Sequence, residues 1–109
     1  MDDKTREILD THDHLLPEPP PLAGDDLERA YQAALMEIAE WMGGKLLAPG
    51  QLLDGRTEYG IRDSGGTEWL VTVASASWAA AFRALRERIR NPMIAAVWPR
   101  IAAKHRLPE

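Results

Sequence analysis

His12 and His14 stand with Asp10 and Asp13 in the stretch DTHDHLLPEPPPL, residues 10–22, and all four side chains are able to bind metal. A zinc site needs ligands held in fixed geometry and further groups that orient each imidazole. These four are neighbours or near-neighbours in sequence. Pro17, Pro19, Pro20 and Pro21 follow and favour an extended connector over a helix that could fix them. The cluster therefore reads as a solvated tail, and no metal or other cofactor is expected.

His105 is the one histidine inside the predicted fold. A general base needs a nucleophile or a substrate group within hydrogen-bond reach, and the sequence supplies no such partner. Ser64, Ser75 and Ser77 sit in no nucleophile-elbow pattern, and the last two are ordinary helix-cap candidates. His105 reads as a histidine at the edge of a core, favoured when protonated by a helix C-terminus. Glu37 and Glu40 are three residues apart on the polar side of a predicted helix, which makes them a solvated pair. Glu58 and Glu68 are expected to face each other, or Arg56 and Arg62, across a hairpin. The Gly-Gly-Lys of MGGKLLAPG follows a helix and is followed by leucine where a phosphate loop needs serine or threonine. DSGGTE is a turn. No catalytic residue is assigned, and the chain leans away from being an enzyme.

The residues with a claim to binding are Arg83, Arg86 and Arg90, which flank an apolar helix stripe in FRALRERIRNP, and Trp41 and Trp98, at the edges of theirs. Three readings of the arginines compete. They form a solvated face that covers apolar surface, a dock for an acidic protein or the acidic part of a second copy, or a contact to nucleic-acid phosphates. Asn91-Pro92 is too abrupt for an ordinary helix-turn-helix, which needs a turn of about three or four residues. Charge is uneven: residues 1 to 77 carry 15 acids and 6 bases, whereas residues 78 to 109 carry 2 acids and 7 bases. That polarity suits an oriented contact better than general nucleic-acid binding.

The elements that must position these groups follow from periodicity. A helix is predicted over 26–42, with Asp25 as N-cap, Glu28 at the capping-box position, and Gly43-Gly44 as its stop. Leu27, Tyr31, Ala34, Leu35, Ile38, Trp41 and Met42 share its buried arc; Arg29, Glu37 and Glu40 point away. Alternation predicts a hairpin of 56–62 with 67–74, with Tyr59, Ile61, Trp69, Val71 and Val73 facing the helices, and 45–53 is a candidate third strand. Ser75 or Ser77 caps a helix through Arg90 with the stripe Trp78, Phe82, Leu85 and Ile89. Asn91 and Pro92 open a last helix in which Ile94, Val97, Trp98 and Ile101 share a face and Pro99 makes a kink or a new start.

The expected fold class is α+β: a small two- or three-stranded antiparallel sheet with an N-terminal helix and two C-terminal helices packed on one face. Residues 1–22 form a flexible proline-rich tail and 23–109 a single domain. With no cysteine, no basic-then-apolar leader and no long apolar run, the expectation is a cytoplasmic chain with no membrane contact. The leading functional reading is a non-catalytic accessory or adaptor protein acting through protein contacts, as a homodimer or with another partner. The alternatives are a small enzyme or ligand-binding domain with a pocket between sheet and helices, and a nucleic-acid binder using the arginine-rich helix.

Overall fold

The computed structural model describes residues 21–109. Asp10, His12, Asp13 and His14, and the expectation made for the tail, lie outside the described residues. The chain runs α1 (Gly24–Trp41), β1 (Lys45–Leu46), β2 (Gly50–Gln51), β3 (Thr57–Arg62), β4 (Glu68–Val73), α2 (Trp78–Arg88) and α3 (Pro92–Lys104). Among the described residues this is the α+β arrangement expected: one helix, a small antiparallel sheet, then two helices.

β3 is central. β4 pairs with it along its whole length, with Tyr59 opposite Val71 and Ile61 opposite Trp69. β1 and β2 share its other edge and are two halves of one strand. Lys45 and Leu46 pair with Arg62 and Ile61, and the Leu47 amide donates to the Gly60 carbonyl. Beyond that point the register slips by one, so that Gly50 meets Glu58. Ala48 and Pro49 together oppose Tyr59, which is a bulge of the kind proline tolerates at a sheet edge. The candidate third strand thus exists, broken at Pro49.

Alternation along the hairpin holds. Thr57, Tyr59 and Ile61 are buried toward the helices, and Trp69, Val71 and Val73 are half-buried on the same side. On the opposite face Arg62 pairs with Glu68 directly across the strands, while Glu58 faces Thr72. Gly60 is buried there because Leu47 and Leu70 close over it; a β-carbon would collide with both.

The helices supply most of the core. Tyr31, Leu35 and Ile38 of α1 meet Phe82, Leu85 and Ile89 of the α2 segment and Trp98 and Ile101 of α3, all at most 3% exposed. Phe82 sits edge-on to both Tyr31 and Trp98, at centroid distances of 5.2 and 4.9 Å. Pro99 neither breaks nor restarts α3, which continues through it to Lys104. Its missing N–H leaves only the carbonyl of Ala95, an exposed residue, without an intrahelical donor.

Two N-cap expectations hold and one fails. The Ser77 hydroxyl accepts from the Ala80 amide at the start of α2, and Asn91 accepts from the Met93 amide at the start of α3. α1, however, starts after Ala23 with no side-chain cap. Glu28 makes no capping box. It crosses to α2, where its carboxylate accepts from the backbone amides of Trp78 at 2.6 Å and Ala79 at 3.3 Å and from the Ser77 hydroxyl. A carboxylate is favoured by the partial positive charge at a helix N-terminus, and here it serves a neighbouring helix instead of its own.

Candidate functional site

Trp41 is the last residue of α1 and is 60% exposed. It lines up with Ala34, two turns earlier, whose methyl is fully buried. An indole in that lane stands beside α3 and separates two hollows. One, of about 210 Å³, is lined by Glu37, Trp41, Val97, Arg100, Ile101 and Lys104. The other, of about 340 Å³, runs past Met42, Asp63, Thr67, Trp69 and Ile89 to Asn91, Met93 and Ile94. Met93, 79% exposed, stands at its far side. An exposed tryptophan and methionine with an apolar floor between them, bordered by basic side chains, have the composition of a protein-binding patch.

The predicted site residues divide. Trp41 belongs to this surface. Trp98 does not: at 1% exposed it is a core residue, wedged against Phe82, and its role as an interface anchor is withdrawn. Its indole N–H has no acceptor among the described residues. Both tryptophans stand at stripe edges in sequence; the covering of one edge and not the other depends on helix packing.

The arginines do not act as one face. Arg83 binds the Glu109 carboxylate through Nε at 3.0 Å and the Tyr31 hydroxyl through Nη2 at 3.1 Å, and its guanidinium lies 5.6 Å from the Tyr31 ring centre. The Tyr31 hydroxyl in turn donates to Glu109 at 2.7 Å. Burial and the Glu109 carboxylate push the Tyr31 phenol up to about 12. Arg90 is turned back onto its own helix end, where it bonds the Glu87 carbonyl and pairs with the Glu87 side chain. Arg86, and Arg100 beside Trp41, are exposed and make no ion pair among the described residues.

Glu37 is not a solvated partner of Glu40. It crosses to the end of α3, where Oε1 lies 2.9 Å from both Lys104 Nζ and His105 Nε2. Those two partners hold its carboxyl below the usual range. Asp63 organises the hairpin turn: it accepts from the Gly65 and Thr67 amides at 2.9 Å each and from the Trp69 indole N–H at 3.2 Å. The Trp69 bond first, then the amides, lower its carboxyl. Sequence spacing gives no signal for Glu28 or Glu37, because their partners lie 50 and 68 residues away.

A third hollow, of about 460 Å³, lies between α1 and the bulged strand, lined by Gln32, Met36, Glu40, residues 44–49 and Trp78. It contains neither Tyr59 nor His105 nor Trp69; Trp69 lines the hollow of about 340 Å³ instead. Tyr59 is 3% exposed and packs edge-on against Trp78 at 4.9 Å. Among the described residues no group of three or more histidines and carboxylates could hold a metal ion. No helix among them is long and apolar enough to cross a membrane. No family model matches the chain, and neither a curated protein nor a solved structure is detectably similar to it.

Proposed function

We propose that this chain is a non-catalytic accessory protein that docks a protein segment carrying an apolar anchor beside acidic residues. The observation that carries the reading is the 60% exposure of Trp41 between two hollows, with Met93 at 79%. Arg100 and Lys104 border the smaller hollow, and the C-terminal third is basic while the rest of the chain is acidic. An apolar residue fills the floor, and a carboxylate meets Arg100. Arg86 adds to the positive field without touching the floor. Arg83 and Arg90, already engaged within the chain, contribute little. The cysteine-free composition suits the reducing cytoplasm, which is the compartment this reading takes.

The test is affinity capture from the source cells with wild-type protein and with Trp41→Asp, each with and without nuclease. A stoichiometric protein retained by the wild type after nuclease and lost by the variant supports the reading, given unchanged circular dichroism. Retention that nuclease abolishes points to nucleic acid, and retention unaffected by Trp41→Asp removes the proposed surface. A second reading rests on the 460 Å³ hollow, whose volume lies within the range of small-ligand sites. It predicts a ligand-induced rise in melting temperature that Met36→Trp, filling the hollow, cancels.

A further inference from the structure

The two edges of the sheet are built differently. The β1/β2 edge carries a bulge, a proline and Lys45, and α1 flanks it. These are the devices that keep an edge from pairing with another chain. β4 has neither the bulge nor the proline, although α2 packs against it. Its six residues, EWLVTV, contain one charge, no proline and no break in register.

The direction of the free backbone groups follows from two bonds. Leu47 N–H donates to Gly60 O on one side of β3, and Asp63 N–H donates to Thr67 O on the other. Antiparallel pairing alternates, so the even residues of β3 bond toward β1/β2 and the odd ones toward β4. In β4, residues 69, 71 and 73 are then turned inward to β3. The N–H and C=O groups of Glu68, Leu70 and Thr72 point outward, and no backbone or side-chain group among the described residues bonds them. All three residues are exposed, Leu70 at 38%.

We propose that this edge is a self-association surface on which a second copy of the chain pairs its own β4, antiparallel, about a two-fold axis at Leu70. An axis normal to the sheet keeps each side chain on its face, so paired residue numbers must sum to an even number. The register that uses all three outward residues places Leu70 against Leu70 of the second copy and Glu68 against Thr72 of the second copy. No like charges meet, and Glu68 stays in its pair with Arg62. On the helix side the half-buried Trp69 packs beside Val71 of the second copy, covering apolar surface that each chain leaves open. The two meanders become one continuous sheet. This goes beyond the Trp41 surface and shares only Trp69 with it.

Sedimentation velocity of the full chain over a wide concentration range tests the proposal, with Leu70→Pro and Leu70→Lys alongside. Proline at 70 removes one outward donor without touching the ladder to β3, and lysine places two ammonium groups face to face. The expected result is a species of twice 12.2 kDa whose dissociation constant rises at least about tenfold in either variant and is unchanged in Trp41→Asp. Hydrogen exchange on the wild-type protein gives a reading that no misfolded variant can obscure: the amides of Glu68, Leu70 and Thr72 gain protection as dimer forms. A monomer at every concentration overturns the proposal, as does a dimer indifferent to both variants or one in which those amides exchange freely. Protection in a monomeric sample also overturns it, by placing another segment of the same chain on the strand.

Discussion

Tyr31 shows how one side chain ties distant parts of the molecule. Its ring packs against Phe82, and its hydroxyl lies between Arg83 and Glu109. A tyrosine in an unfolded chain ionises near pH 10, and in the fold this one holds its proton to about 12. The unfolded state therefore loses that proton first. The stability Tyr31 provides is complete below about pH 10 and is lost as pH rises toward 12. Melting temperatures across that window should fall more steeply for the wild type than for Tyr31→Phe. The variant should lose about 1 kcal/mol at neutral pH, the scale of a hydrogen bond removed from a packed site.

At the scale of elements, α2 is the dependent one. It has 11 residues, too few to be stable alone, and its first amides are satisfied by Ser77 and by Glu28 of α1. Glu28→Ala should cost about 1–2 kcal/mol, the range of a lost N-cap, and should raise amide exchange at Trp78 and Ala79 ahead of the rest of α2. Equal protection at those amides in the variant would count against the cap. What was legible in the sequence follows the same division. The hairpin, the Ser77 and Asn91 caps and the stripe Phe82, Leu85 and Ile89 rest on signals within a few residues. So does the choice of face for Tyr59 and Val71. Glu28 reads as a capping box and Glu37 as solvated because local spacing cannot reveal a partner on another helix. Trp41 and Trp98 look alike for the same reason. Of the candidate docking surface, Trp41 was legible; the hollows beside it and Met93 arise only where α1, α3 and the β3–β4 turn come together.

Three carboxylates tie the molecule together, Glu37 and Glu109 across long stretches of chain and Asp63 within the hairpin turn. Glu37 is lowered by Lys104 and His105, and Asp63 by Trp69 and two turn amides. Burial raises Glu109, yet Tyr31 and Arg83 outweigh it and bring it below the usual range. Each group gives stability that is complete above its unfolded value, near pH 4, and drains away as pH falls through its lower folded value. Urea midpoints should accordingly decline on acidification from about pH 5 to 2. Glu37→Gln should flatten that decline while lowering the midpoint near neutrality. A slope unchanged by the variant would show that the ion pair at the end of α3 adds nothing.

The contacts of α1 also set an order in time. Tyr31, Leu35 and Ile38 find their partners on α2 and α3, with Trp98 and Ile101 close to the end of the chain. At about 5–20 residues per second, synthesis from the end of α1 to the end of α3 lasts roughly 3–13 s. Through that interval α1 is made ahead of its partners, meeting β1 and α2 partway and Trp98 and Ile101 last. Its apolar stripe is open to any chaperone or neighbouring nascent chain, and the fold closes only after α3 has emerged.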